Sequence, residues 1–409
     1  MTIEFKSHFP KFIERENTSA LYDQFIQITD SPDIGYLKLP YNLQLIDSCK
    51  DIYKKHKGVK SFYHFGIGGS ALGPKMMVHA LKKNDLIFHF VDNIDSDTIS
   101  NLFEKIDFSD SLFYFVSKSG STAETLALLT VLLNKMESKG IGSDKYKDSI
   151  VVCTENKKSD LKDFADKYHI DTLEIPLNIG GRFSALTPVA YFPCLFADID
   201  VKKISFGAQV IAKKMANKQS AEEFLIMAQN IFLLIEKGVN QTVLMAYSDK
   251  LKYFAQWFVQ LWAESLGKNN KGLTPICAIG ATDQHSQLQL FSEGEANKAY
   301  FFIELLKRSS DFKLDNKQEY SAFKKLAPHT LNQLLKAEFE GTIKSLIEKE
   351  LPIVHVKVSE LNEENLGKLI LTYEVLTQLV GQLLQINPFD QPGVETSKKY
   401  AWLWLNSNK

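Results

Sequence analysis

The chain has 409 residues, 44% hydrophobic with 28 Phe and 15 Tyr, enough for two or three domains with substantial cores. A formal net charge of −1 gives no broad positive field for nucleic acid or an acidic membrane. The opening Met1-Thr2-Ile3-Glu4-Phe5-Lys6 has no apolar signal core, and no apolar run approaches the roughly 20 residues of a membrane span.

Residues 1–58 are expected to form an N-terminal extension of short helices and turns. Over 59–199, short apolar runs alternate with helical patterns. The runs are Ser61–Phe65, Leu86–Val91, Leu112–Val116, Ile150–Cys153 and Thr172–Ile175. Such alternation predicts a parallel sheet covered by helices. Thr187-Pro188 is a helix start, with Thr as cap and Pro in the first turn. Residues 200–240 read as a helical bridge. The alternation restarts over 241–390, with strands at Thr242–Ala246, Pro275–Ile279, Tyr300–Leu305 and Pro352–Val358 and helices at Lys250–Leu266 and Glu363–Gln385. A final helix is expected at Gln391–Leu405, within a C-terminal segment 391–409. The charged stretch Lys307–Lys325 is expected to be exposed. The class is α/β, as two successive α/β/α sandwiches.

The cysteines Cys49, Cys153, Cys194 and Cys277 are too far apart for a zinc knuckle or a disulfide framework in so large a chain. They are expected to be buried small hydrophobes in a reducing cytoplasm. No His pair has HxxxH or HExxH spacing, so nothing suggests a metal. Only three of the 48 basic residues are Arg: Arg15, Arg182 and Arg308. Arg182, in Gly180-Gly181-Arg182-Phe183-Ser184, is the one whose planar fork a Lys cannot copy. Arg308, in a polar run, is expected at the surface.

Two loops carry the clearest chemistry. Gly66-Ile67-Gly68-Gly69-Ser70 and Ser117-Lys118-Ser119-Gly120-Ser121-Thr122 each follow a predicted buried strand and precede a helix. Strand, Gly/Ser loop and helix start make an anion site, because the first helical N–H groups are unpaired. The second loop offers Ser117, Lys118, Ser119, Ser121 and Thr122 and no acid, which suits a small phosphate monoester. A plainer reading is a capping box, Ser121-x-x-Glu124. A rival reading of the first loop is a dinucleotide fingerprint, Gly66-x-Gly68-x-x-Ala71 with Asp92 beyond the next run.

Further along, Phe254, Trp257, Phe258, Leu261 and Trp262 give one apolar face of a helix that ends near Gly267. Glu264 lies in its last turn, an unfavourable place for a carboxylate. It is either a solvated side chain or a poised base. His285, in the polar loop Ala281–Gln287, is a surface residue or a proton carrier near neutral pH. Lys398, taken alone, is one Lys among many.

Taken together, these segments resemble the glucose-6-phosphate isomerase (phosphoglucose isomerase) family in a compact bacterial form. The resemblance rests on six ordered stretches: Gly66–Pro74, Ser117–Thr125, Gly180–Ser184, Gln260–Lys268, Asp283–Gln287 and Phe389–Lys398. Residues 1–58 and 305–360 carry no part of it. The resemblance implies two sugar-isomerase-type (SIS) domains and an aldose–ketose isomerase of hexose 6-phosphates in glycolysis and gluconeogenesis. No cofactor or metal is implied. Gly69, Ser70, Ser117, Lys118, Ser119 and Thr122 are then expected to hold the sugar phosphate. Glu264 is expected to be the base and Arg182 to steady the enediolate. His285 and Lys398 are expected to handle ring opening, with His285 donated across a homodimer. A non-catalytic sugar-phosphate sensor and a NAD-dependent oxidoreductase are the alternatives. A sensor has no need of Glu264, Arg182, His285 and Lys398 together.

Overall fold

A computed structural model describes residues 3–9, 18–317 and 319–407. It is an α/β protein with two five-stranded sheets. The first contains β2 (Ser61–Phe65), β3 (Ile87–Val91), β4 (Ser111–Val116), β5 (Ile150–Thr154) and β6 (Asp171–Glu174) in the order β3-β2-β4-β5-β6. All its neighbours are parallel. Its central strands β4 and β5 are buried along their whole length, as sequences without a polar face require in a sheet covered on both sides.

The second sheet contains β1 (Ile3–His8), β7 (Gln241–Ala246), β8 (Thr274–Ile279), β9 (Lys298–Lys307) and β10 (Ile353–Glu360) in the order β1-β10-β9-β7-β8. Four of its strands are parallel, and β1 closes the edge antiparallel to β10, Ile3 opposite Val358. This corrects the expectation for residues 1–58. Ile3–His8 is a strand of the second sheet, and the remainder holds the helices Ser19–Asp30 and Gln44–His56. Residues 1–2 and 10–17, Arg15 among them, lie outside the described residues.

Between the sheets run two helices, Val201–Met215 and Lys218–Glu236. The helix Glu363–Leu383 is buried almost throughout and packs on both of them. Thr187 caps the helix Pro188–Phe196 through Val189 N, as its sequence predicts. The last helix begins later than expected, at Glu395 after a turn over Pro392–Val394, and every residue of it is exposed.

Two surface expectations change. Arg308 is half-buried and donates to the carbonyls of Leu305 (2.9 Å) and Tyr247 (2.7 Å). Cys49, Cys153 and Cys194 are buried free thiols, but Cys277 is only half-buried. No described helix is long and apolar enough to cross a membrane.

Strand order locates the site. In the first sheet β3 lies on one side of β2 and β4 on the other, so the direction in which successive strands are added reverses there. Ligands in open α/β sheets sit outside the carboxyl ends of the strands at such a reversal. The loops that leave β2 and β4 are Gly66–Gly68 and Ser117–Thr122.

Candidate active site

The first loop feeds the helix Gly69–Leu81, which packs against the helix Lys252–Leu266 of the second lobe. Gly69 is required here: a Cβ on it would lie 2.3 Å from the carbonyl oxygen of Gly181. The start of the helix therefore touches the segment that carries Arg182. Below it, the buried His64 imidazole on β2 bonds the Ser70 carbonyl at 2.7 Å through Nε2. Because a carbonyl only accepts, Nε2 carries a proton. Burial pulls the His64 pKa down to about 4.

The second loop folds on itself. The Ser117 and Thr122 hydroxyls meet at 2.8 Å, and Ser117 Oγ accepts from Gly120 N at 3.1 Å. Gly120 has φ +69, and a Cβ there would lie 2.1 Å from Ser159 Oγ, so no other residue fits. Ser119 and Ser121 are exposed, and Lys118 Nζ stands 3.4 Å from the buried Glu155. The capping-box reading fails. The cap of the helix Ala123–Ser138 is Thr122, and no side chain bonds its first N–H groups. Asp92, the acid the dinucleotide reading needs, is paired with Lys75 at 2.9 Å.

Across from these loops lies a charged cluster. Glu264 is in the last turn of its helix, as predicted. Its Oε1 accepts from Gln260 Nε2 at 3.0 Å and its Oε2 from Arg182 Nη1 at 3.4 Å. Its side chain remains 33% exposed, which leaves it open to a ligand. Arg182 is 2% exposed and uses its whole fork. Nε donates to Ser265 Oγ at 2.7 Å, Nη1 also to Gln391 Oε1 at 3.0 Å, and Nη2 to the carbonyls of Pro388 (2.5 Å) and Asp390 (2.9 Å). Burial lowers the Arg182 pKa from its ordinary value, and the negative charges of Glu264 and Asp390 oppose that. A fixed cation beside a partly exposed carboxylate can stabilise negative charge that develops as the carboxylate takes a proton.

Gly69, Ser70, Ser117, Lys118, Ser119 and Thr122 thus occupy the two loops at the sheet reversal, with Arg182 and Glu264 joined beside the first. His285 and Lys398 are elsewhere. His285 is exposed in a turn over Thr282–His285. Lys398 is on the exposed last helix, its Nζ 2.8 Å from Glu395. Among the described residues, no hydrogen bond or ion pair joins either to Glu264 or Arg182. Sequence reading gave no role to Gln260 and Gln391, which hold the carboxylate and the guanidinium. The signal for Gln260 was its i, i+4 spacing to Glu264. Gln391 lies 209 positions from Arg182, and no local pattern announces such a pair.

The fold is that of an α/β protein built on two largely parallel sheets. The phosphoglucose isomerase family model matches residues 43–407. The chain is 36% identical over 382 residues to the glucose-6-phosphate isomerase of Rubrobacter xylanophilus, covering 90% of this chain and 88% of that one. A crystal structure of a hypothetical protein from Thermus thermophilus aligns with a TM-score of 0.90 at 32% identity, over 95% of this chain and 94% of that one. A glucose-6-phosphate isomerase structure from Chlamydia trachomatis shares the fold, with a TM-score of 0.75 at 23% identity over 97% of this chain and 76% of that one. The chain belongs to the phosphoglucose isomerase family, and it is an isomerase.

Proposed function

We propose that the protein interconverts D-glucose 6-phosphate and D-fructose 6-phosphate, the aldose–ketose step shared by glycolysis and gluconeogenesis, through a cis-enediolate. The observation that carries this reading is the Glu264 carboxylate, held between Gln260 and Arg182 at the partly open end of its helix. In the open-chain aldose, Glu264 takes the proton from C2. The electron pair moves towards C1 and leaves an enediolate, whose charge Arg182 steadies. Glu264 returns the proton to C1 while the C2 hydroxyl proton passes to the C1 oxygen, so C2 becomes the ketone and C1 an alcohol. The reaction needs no net oxidant. Gly69, Ser70, Ser117, Lys118, Ser119 and Thr122 hold the phosphate, which does not react.

Ring opening falls to His285 and Lys398, and this part of the reading requires a homodimer in the cytoplasm. The exposure of His285 supports its donation to a partner's site. The exposed Tyr400, Trp402 and Trp404 beside Lys398 support packing of the last helix when the site is complete. Mixing inactive His285→Ala with inactive Glu264→Gln subunits is expected to restore activity, because one site of each heterodimer regains both groups. Subunit exchange without regained activity overturns the shared site.

The deciding assay supplies fructose 6-phosphate with glucose-6-phosphate dehydrogenase and NADP and follows NADPH. Steady NADPH production that depends on the protein is expected. Tight binding without turnover would favour a sensor.

A further inference from the structure

Directly after the helix that carries Glu264 come Gly267 and Lys268. Gly267 N closes the helix on the Ala263 carbonyl at 2.9 Å, and Lys268 turns back beneath it. The Lys268 side chain is only 10% exposed, unusual burial for a residue type that is mostly exposed. Its ammonium has three donors and three partners. It donates to the carbonyls of Ser265 (3.0 Å) and Asn387 (2.6 Å) and pairs with Asp390 Oδ1 at 3.3 Å.

These partners repeat a pattern. Arg182 also grips Ser265, through Oγ, and also grips the 387–391 loop, through the carbonyls of Pro388 and Asp390 and the Gln391 side chain. Two cations thus hold the same two segments together from different sides. Asn387 Nδ2 adds a bond to the other Asp390 oxygen at 3.0 Å. The charges that face Lys268 are Arg182, Asp390 and Glu264. Glu264 itself meets Gln260 and Arg182. The ammonium is thus part of the positive field at the carboxylate, although no bond joins the two. Burial, then Arg182, lowers the Lys268 pKa, and Asp390 and Glu264 work against that.

We infer that Lys268 is a positioning residue: it pins the 387–391 loop to the end of the Glu264 helix and so keeps Arg182 and Glu264 in register. This rests on the reaction proposed above. Phosphate loop and pin lie on different segments, so the pin governs turnover and leaves the grip on phosphate alone.

The test compares Lys268→Gln and Lys268→Arg with the wild-type full-length chain. Misplacement of reacting groups by about 1 Å can cost about 10²-fold in rate. Lys268→Gln is expected to lower kcat by about 10- to 100-fold with KM held within about threefold. Amide exchange over 387–391 should quicken, a readout independent of turnover. Lys268→Arg keeps the charge but cannot copy the compact ammonium. It should still lower kcat, by less than Lys268→Gln, with KM held. That variant decides alone if Lys268→Gln does not fold. Wild-type kcat, KM rising with kcat unchanged, or unchanged amide exchange over 387–391 would each overturn the inference. The wild-type assay tests the reaction, and the variant-to-wild-type ratio tests Lys268.

Discussion

In the proposed reaction the Ser117–Thr122 loop and the Arg182 cluster both handle negative charge, and they do so in opposite ways. The loop is local, six consecutive residues with two exposed serines and a lysine balanced by Glu155. The cluster is assembled from residues as far apart as Arg182, Glu264 and Gln391, and every N–H of its guanidinium already has a partner. A loop of this kind binds by exchanging water for ligand oxygens. A cluster of this kind is rigid before ligand arrives, so its bonds need little reorganisation during reaction. Substitutions in the cluster should therefore act on kcat, and substitutions in the loop on KM.

The largest effect is expected at Glu264. Glu264→Gln keeps the shape and both neighbours but cannot accept a proton. General base catalysis contributes a factor of about 10² to 10⁴, and turnover should fall by at least that much while phosphate binding persists. In D₂O, wild type should place deuterium at C2 of glucose 6-phosphate, as proton exchange through an enediol requires. Retention of more than about a tenth of the turnover would place the base elsewhere.

Arg182→Lys comes next. It keeps the charge but cannot span Ser265, Gln391 and the two carbonyls at once. Those bonds set its position beside Glu264, and misplacement of a reacting group by about 1 Å can cost about 10²-fold in rate, so a fall in kcat of about that size is expected with KM little changed. A rise in KM alone would mean that Arg182 binds ground-state substrate and belongs with the loop.

For the loop, Ser117→Ala with Thr122→Ala removes a mutual hydroxyl pair that the proposed reaction turns to the phosphate. Hydrogen bonds to a charged group contribute about 1.5–3 kcal/mol each. KM should rise at least about tenfold, with a smaller loss of kcat because remote binding energy also serves the transition state. An unchanged KM would leave the loop a turn and nothing more.

Legibility in the sequence follows the same division. Ser61–Phe65 and the two donor loops were readable because apolar run, glycine and hydroxyl cluster are contiguous. Arg182 was flagged by the scarcity of Arg and its tight setting. The strand Ile3–His8 was missed although Ile3, Phe5 and Ser7 alternate with Glu4, Lys6 and His8, since a single short strand pairs only with a partner 350 positions on. Arg308 looked solvated because its run is polar, but its targets are main-chain carbonyls. The partners of Arg182 on the 387–391 loop became visible only in three dimensions. Lys398 carried an expectation that came from resemblance alone, and its helix has no packed face in a single chain.

The smallest effect on turnover is expected at a second carboxylate, Glu374, which sharpens what distinguishes Glu264. Glu374 is completely buried within the helix Glu363–Leu383, and neither carboxylate oxygen has a hydrogen-bond partner among the described residues. Its neighbours include Tyr36, whose hydroxyl donates to Gln378 Oε1 at 2.5 Å and whose ring packs on Phe183 and Phe389. Burial raises the Glu374 pKa well above its ordinary value, so the folded chain carries it protonated. The unfolded chain releases that proton above the ordinary carboxylate pKa. From there upward the folded state binds more protons than the unfolded one, and stability falls as pH rises by about 1.4 kcal/mol per unit until the folded group ionises. Glu374→Gln has no proton to release, so this slope disappears. Thermal melts should therefore show Glu374→Gln gaining on wild type between pH 5 and pH 8, with kcat and KM both near wild type. A gap that stays flat across that range would mean Glu374 is ionised in the fold. A large loss of kcat would mean that this carboxylate, and not only Glu264, belongs to the chemistry.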